Sequence, residues 1–234
     1  MISTLSVPGP HDGAAVRIGG APPAGARGAL VLVHGRGADA EGMLDLAHHL
    51  DAGAFTWAAP QAAGHTWYPY PFLAPIAQNQ PNLDSALAVL GAVTDALAAE
   101  GIPPARQVLI GFSQGACLAL EFAARSDRRW GGVVGLSGGV IGPPGTTWDR
   151  PPGDRSGPQE RAARLGREGV AGTPVFLGCS DVDPHIPVTR VDETRDLFTR
   201  LGAVVDERIY PGMPHTINED EVDAVRALLE RVTP

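Results

Sequence analysis

The sequence has little cysteine and too few cations to balance its acidic residues. Its two cysteines, Cys117 and Cys179, are too few to staple a chain of 234 residues, and a chain of this length can bury its own core. We therefore expect both to be reduced core thiols, as is usual in the cytoplasm. A formal net charge of −8 argues against a nucleic-acid-binding surface, which requires clustered positive charge.

Signals for export and for membrane insertion are also missing. The opening residues MISTLSVPGPHDG contain neither the basic nor the apolar region of a secretory signal. No uninterrupted apolar run approaches the length of about 18 residues that a spanning helix needs, so membrane insertion is not expected. The sequence predicts a soluble, cytoplasmic protein, and its length suits one domain over residues 1–234.

Short strands rich in β-branched residues alternate with helical patterns along most of the chain. Strands are predicted at 28–35, 54–60, 107–112, 130–138, 173–179 and 203–210, and helices at 41–50, between Asn82 and Gly101, at 116–125, at 189–201 and from Asn218 onward. This alternation predicts an α/β fold with a doubly wound, mostly parallel sheet and helices on both faces. In such sheets, functional loops follow the carboxyl ends of the strands.

The segment 141–172 interrupts this alternation. It is rich in proline, glycine and arginine, and its arginines alternate with acidic residues. We predict an excursion over the edge of the sheet, with one short helix at 158–168. The excursion forms either a solvated surface flap or a cap at a substrate entrance.

Two serines occupy the motif G-x-S-x-G, which marks a nucleophile where a strand turns sharply into a helix. GFSQG (111–115) follows the strand QVLIGF and precedes ACLALEFAAR, a run of good helix formers. GLSGG (135–139) also follows a strand, but the residues after its serine, GGVIGPPG, cannot open a helix. Ser113 is therefore the predicted nucleophile, and Ser137 is predicted to be structural.

A serine hydroxyl needs a histidine to accept its proton and a carboxylate to orient that histidine. In α/β-hydrolases the acid and then the base follow the serine, each in a loop after a later strand. His215 lies in YPGMPHT, after the strand at 203–210 and before the last helix, so it is the predicted base. The acid should then lie in the loop after the strand at 173–179.

That loop contains DVDPHIPV (181–188), in which two aspartates and a histidine fall within five positions. The cluster suits a metal site, half of a catalytic triad or a polar turn without chemistry. Asp181, Asp183 and His185 are metal-ligand types, but no second ligand group with suitable spacing is evident, so no metal is predicted. His185 shares one short turn with both aspartates and is a poor base. At this point either aspartate qualifies as the acid.

An oxyanion hole requires two N–H donors, one from the residue after the nucleophile and one from a glycine loop after an early strand. Gln114 and Arg36, the latter in HGRG (34–37), are the predicted donors. Because the donors are backbone groups, alanine at either position is expected to leave the hole largely intact. The aromatic loop HTWYPYPFLAPI (65–76) either fills space over the sheet or forms an acyl pocket, for which Trp67, Tyr68 and Leu73 are the candidate substrate-binding residues.

Five motifs in this order resemble the phospholipase/carboxylesterase family of α/β-hydrolases, which includes acyl-protein thioesterases and small bacterial carboxylesterases. They are LVLVHGRGAD, TWYPYPFLAP, QVLIGFSQGACLAL, DVDPHIPV and YPGMPHTI, and they span nearly the whole chain. The resemblance implies the α/β-hydrolase fold and a cofactor-free serine hydrolase of carboxylic esters or thioesters with short to medium acyl chains. Members of this family are often dimers, so the resemblance also raises the expectation of a homodimer.

The resemblance also distinguishes the two aspartates. The family's acid directly precedes proline in a D-P-x-(V/I)-P turn, which implies Asp183 here and leaves Asp181 as a brace of the loop. Four positions depart from the family. Cys179–Ser180 replaces a frequent His-Gly, His185 occupies a usually apolar site, and Arg36 replaces an apolar residue beside the oxyanion hole. The Arg36 side chain would either favour an acidic substrate or point outwards.

Two other functions remain as alternatives. A dienelactone-hydrolase-like lactonase would generally use a cysteine nucleophile, and the serine at position 113 speaks against it. A non-catalytic binding protein on the same scaffold would not need the complete set of serine, acid, histidine and glycine loop that this sequence retains.

Overall fold

A computed structural model of the chain describes residues 4–146, 148 and 169–233. Seven strands in these residues form one sheet: β1 (Val16–Gly20), β2 (Ala29–Val33), β3 (Thr56–Pro60), β4 (Gln107–Phe112), β5 (Gly132–Leu136), β6 (Pro174–Ser180) and β7 (Val204–Tyr210). Their order is β1-β3-β2-β4-β5-β6-β7. β1 pairs antiparallel with β3, and all the other neighbours are parallel. The predicted, mostly parallel α/β sheet is confirmed.

Helices cover both faces of the sheet, as predicted. In the described residues they are α1 (Ala40–His49), α2 (Asn82–Ala99), α3 (Gln114–Arg125), α4 (Val188–Arg200) and α5 (Glu219–Glu230). β2 is buried throughout: Val31 and Val33 belong to the core shared with α2, α3 and α4, whereas Leu30 and Leu32 belong to the core shared with α1 and α5. A strand with two buried faces has a continuous apolar sequence, and ALVLV is such a run.

The antiparallel edge strand β1 was not predicted. Its sequence VRIGG ends in two glycines, which are poor strand formers. The structure explains them by the close approach of Trp57 in β3, because a Cβ at Gly19 would lie 2.7 Å from the Trp57 ring. The strand therefore forms through a partner that its own sequence does not reveal.

α2 comes closer to the dimensions of a membrane span than the sequence suggested. It has 18 residues with a mean hydropathy of 1.2. Its apolar side, which includes Leu83, Val89 and Leu90, is fully buried in the core. α2 therefore packs as a core helix on one face of the sheet.

Most of the predicted excursion at 141–172, including the predicted helix at 158–168, lies outside the described residues. Its first residue, Ile141, is fully buried, and its N–H donates to Glu121 Oε2 of α3 at 2.9 Å. Arg190 of α4 donates to the carbonyl oxygens of Val140 and Gly142, both at 2.8 Å. The chain after β5 is thus held by side chains of α3 and α4 at the start of this segment.

The last helix, α5, begins with a capping box. Asn218 Oδ1 accepts from the Glu221 N–H, and Glu221 Oε2 accepts from the Asn218 N–H, both at 2.9 Å. Glu221 is fully buried against β6, where a Cβ on Gly178 would lie 2.1 Å from its other carboxylate oxygen. This burial raises the pKa of Glu221 to about 7.

We expect Glu221→Gln to weaken the pH dependence of stability. Glu221 ionises near 4.5 when unfolded and near 7 when folded, so the native state binds more protons between these values. The free energy of unfolding of the wild type then falls as pH rises through this window and stays lower above it.

Glutamine cannot ionise but retains the capping box. The variant should gain stability relative to the wild type between about pH 4.5 and 8, by on the order of 3 kcal/mol at most. Urea unfolding of both proteins at the two ends of this pH window measures the gain. If the free energies of unfolding of variant and wild type differ by the same amount at both ends, the raised pKa of Glu221 is wrong.

Candidate active site

Ser113 lies at the sharp turn between β4 and α3. Its φ of 54° and ψ of −118° lie outside the regions that non-glycine residues usually occupy, as expected at a nucleophile elbow. The flanking glycines make the turn possible. A Cβ at Gly111 would lie 2.3 Å from the Gly115 carbonyl oxygen, and one at Gly115 would lie 2.1 Å from that of Val33. The two glycines of the motif are therefore needed because the backbone of α3 comes too close to the ends of β2 and β4 to leave room for a side chain at either position.

Ser137 lies in a similarly strained turn, but the protein encloses it. Its φ is 50°, its side chain is fully buried, and its N–H donates to the Gly178 carbonyl oxygen at 2.7 Å. A Cβ at Gly138 would lie 2.4 Å from the Cβ of Ala116. The second match to G-x-S-x-G thus reflects close packing of the chain after β5 beneath α3.

Asp183 and His215 are hydrogen-bonded to each other across the ends of β6 and β7. His215 Nδ1 lies 2.6 Å from Asp183 Oδ2. Asp183 Oδ1 accepts from the N–H groups of His185 at 2.8 Å and Ile186 at 3.1 Å. Burial of this side chain opposes ionisation, but the hydrogen bonds outweigh it and hold the pKa of Asp183 below its usual value. The pair is therefore a carboxylate aligned with an imidazole.

Asp181 has a different partner. Its Oδ1 accepts from the N–H of Gly212 at 2.7 Å. Gly212 belongs to the loop that carries His215, so Asp181 ties the loop after β6 to the loop after β7. The two aspartates of DVDPHIPV therefore have separate contacts: Asp183 is hydrogen-bonded to the imidazole of His215, and Asp181 links the two loops.

Two rings flank the imidazole of His215. The Phe112 ring lies 5.0 Å away between centroids, and the His185 ring lies 4.9 Å away in an edge-on arrangement. His185 is exposed. Among the described residues, no group of three His, Cys, Asp or Glu side chains is arranged to hold a metal ion.

The glycine loop after β2 lies beside the elbow. Close packing of Gly115 on Val33 and His34 brings this loop next to the start of α3. The loop is shaped by Gly37, which has a φ of 76° and donates to the His65 carbonyl oxygen at 2.7 Å. In the described part of the chain, the backbone N–H groups of Arg36 and Gln114 have no acceptor. Both are therefore free to donate to a bound oxygen.

The side chains of these two residues are hydrogen-bonded to the aromatic loop. The Arg36 guanidinium donates to backbone carbonyls of the aromatic loop, including that of Tyr68 at 2.9 Å. The Gln114 amide also donates to the Tyr68 carbonyl, at 2.8 Å. Neither expectation for the Arg36 side chain covered this arrangement, because the sequence does not show which backbone carbonyls lack partners.

A cleft of about 550 Å³ opens over the elbow. Ser113, His215, Arg36 and Gln114 all line it, together with His185 and Cys117. Its remaining walls are mainly apolar and are formed by Tyr68, Pro69, Pro71, Phe72, Phe112 and Ile186. The residues that would supply the nucleophile, the base and the two oxyanion donors thus line one cavity, whose size is usual for small ligands.

Of the three predicted substrate-binding residues, only Tyr68 lines this cleft. Trp67 is fully buried, and its Nε1 donates to the His34 carbonyl oxygen at 2.9 Å, so it fills space beneath the loop. Leu73 is partly buried and packs against the main core. Phe72 was missed, because the loop has no periodicity from which its inward-facing residues could be chosen.

This fold and the arrangement of its loops are those of the α/β-hydrolases. The family model for Phospholipase/Carboxylesterase matches residues 20–150, and the chain belongs to this family.

Known relatives agree with this assignment. A phospholipase/carboxylesterase from Dyadobacter fermentans is 36% identical, with a TM-score of 0.80 over 98% of this chain and 99% of that chain. A carboxylesterase from Mesorhizobium loti, 22% identical, has the same fold, with a TM-score of 0.68 over 93% of this chain and 94% of that chain. Acyl-protein thioesterase 1 from Gibberella zeae is 31% identical over 134 residues, which are 57% of this chain and 51% of that protein. The chain spans about half the length of the curated relatives it matches.

Proposed function

We propose that the protein hydrolyses carboxylic esters or thioesters of short to medium acyl chains through a Ser113–His215–Asp183 triad. The observation that carries the proposal is the 2.6 Å hydrogen bond between His215 and Asp183, in a cleft shared by His215 and the strained Ser113. The relatives named carboxylesterase and acyl-protein thioesterase support the same class of substrate.

In the acylation step, Ser113 Oγ attacks the carbonyl carbon of the substrate, and His215 accepts the serine proton. Asp183 holds the imidazole in the tautomer that accepts this proton and stabilises the imidazolium that forms. The carbonyl oxygen becomes an oxyanion that accepts from the Arg36 and Gln114 N–H groups. When the tetrahedral intermediate collapses, His215 returns the proton to the departing alcohol or thiol, and an acyl-serine remains.

Deacylation repeats these roles with water as the nucleophile. His215 accepts a proton from water, whose oxygen attacks the acyl-serine carbonyl and forms a second oxyanion in the same hole. Collapse of this intermediate releases the carboxylic acid, and the proton on His215 returns to Ser113 Oγ.

The mainly apolar walls of the cleft favour an uncharged acyl chain. The Arg36 guanidinium is hydrogen-bonded to three backbone carbonyls, which leaves it fewer donors for a carboxylate of an acidic substrate. The lactonase alternative, with its cysteine nucleophile, is not favoured, because both cysteines are buried and burial raises the pKa of Cys117 and Cys179 to about 12. A thiol with such a pKa supplies almost no thiolate at neutral pH.

The proposal is tested by measuring kcat/KM for p-nitrophenyl esters of increasing acyl length and for matched acyl thioesters. We expect hydrolysis of both series, with a maximum at short to medium chains and a decline once the chain exceeds the cleft. A folded protein that cleaves no member of either series would refute the proposal.

A further inference from the structure

We infer that Arg36 and Gln114 are positioning residues whose side chains clamp the segment Thr66–Tyr70 against the oxyanion hole. The inference rests on the proposed function, since it assigns the same two residues a second role besides their backbone N–H groups. The clamp makes the hole and one wall of the acyl cleft a single rigid unit.

The Arg36 half of the clamp binds three consecutive carbonyl oxygens. Nη2 donates to Tyr68 at 2.9 Å and to Tyr70 at 3.2 Å, and Nη1 donates to Pro69 at 3.1 Å. A guanidinium suits this task because its donors form a fixed planar fork. The ammonium of a lysine is a single point and cannot span three carbonyls with the same geometry.

The Gln114 half of the clamp binds the neighbouring residues. Its Oε1 accepts from the Trp67 N–H at 2.9 Å and the Thr66 hydroxyl at 3.2 Å, while its Nε2 donates to the Tyr68 carbonyl at 2.8 Å. Gln114 is 6% exposed, so water cannot readily replace these bonds. The Tyr68 carbonyl is therefore shared by both side chains.

This geometry has a consequence for catalysis. Tyr68 and Pro69 are walls of the cleft, and they lie in a segment that forms no helix or strand. Such a segment depends on side-chain partners to fix its backbone. Because both halves of the clamp start from the residues whose N–H groups would hold the oxyanion, a loose wall would also loosen the two donors. The inference therefore differs from the expectation drawn from the sequence, in which the side chains of Arg36 and Gln114 do not matter to the hole. Donors contribute fully only when they are held in place before the reaction.

The experiment compares Arg36→Met and Arg36→Lys with the wild type, using an acetyl ester and a longer acyl ester. Methionine keeps the backbone N–H and the apolar stem but removes every donor of the guanidinium. We expect kcat on the acetyl ester to fall about 10- to 100-fold with little change in KM, because mispositioned groups act on the transition state. On the longer ester KM should also rise, because it contacts more of the wall. Lysine should recover part of kcat.

Gln114→Met supplies the second arm. Since both side chains hold the Tyr68 carbonyl, the double variant Arg36→Met/Gln114→Met should lose less than the product of the two single losses. Arg17→Met is the matched control: Arg17 is exposed on β1 and pairs with Glu41 at 2.6 Å, outside the cleft. It should leave kcat and KM unchanged.

Thermal unfolding of each variant separates positioning from stability. Unchanged kcat and KM in Arg36→Met would overturn the clamp, and so would a loss of kcat that Arg17→Met shares or that only follows the fraction unfolded. The wild type is assayed first on both esters. An inactive wild type overturns the proposed function and this inference with it, whereas an active wild type with unaffected variants overturns the clamp alone.

Discussion

Ser113→Ala is expected to abolish hydrolysis of a short p-nitrophenyl ester, with a loss in kcat on the order of 10⁶-fold. The hydroxyl is the only group removed. The strained turn is held by backbone packing of Gly111 and Gly115, which alanine leaves in place. Steady-state kinetics with the purified variant, together with a circular dichroism spectrum that matches the wild type, measure this loss.

Ser137→Ala is the matched control, because Ser137 shares the motif and the positive φ of Ser113. Its Oγ is buried and, among the described residues, faces only the Cys179 thiol, a weak hydrogen-bond partner, so its removal costs little. This variant should keep kcat within about twofold of the wild type. Retained activity in Ser113→Ala, or lost activity in a folded Ser137→Ala, would show that the wrong serine was chosen.

Asp183→Asn is expected to lower kcat by about 10⁴-fold, the loss typical when the orienting carboxylate of a triad becomes an amide. The amide can donate to His215 Nδ1 and so stabilise the tautomer that cannot accept the serine proton. The asparagine carbonyl can still accept from the His185 and Ile186 N–H groups. The loop should therefore survive, and the loss should appear in kcat at an unchanged melting temperature.

The comparison variant is Asp181→Asn. Asparagine at this position can still accept from the Gly212 N–H, and Asp181 is exposed, so we expect less than about a tenfold loss in kcat. Equal losses in the two variants, or a larger loss in Asp181→Asn, would contradict the assignment of roles within DVDPHIPV.

The framework of the site could be predicted because each part has a local signature. A strand, a glycine-flanked serine and a helix follow one another at 107–125, and the order of the later strands selects the loops of Asp183 and His215. The structural part of the choice between Ser113 and Ser137 agrees with the sequence: α3 follows Ser113, and no helix begins in the described residues 138–146. Which serine is the nucleophile stays a prediction. The choice between Asp181 and Asp183 required the family resemblance, because both side chains follow the same strand.

What the sequence could not reveal depends on contacts between distant segments. The Arg36 side chain finds its acceptors 32 to 34 positions away, and no local pattern indicates that those carbonyls lack partners. The same limit explains Trp67 and Phe72, which are both aromatic and both buried. Only tertiary packing decides that Trp67 fills the space below the loop while Phe72 faces the cleft.

The most direct test of the account is labelling with a fluorophosphonate, which forms a covalent bond with an activated serine. Mass spectrometry of the digested protein should find one modified residue, Ser113, and labelling should be lost in Ser113→Ala and slowed in Asp183→Asn. No labelling of the folded wild type, or a label on Ser137 or another serine, would contradict the assignment of Ser113 as the nucleophile.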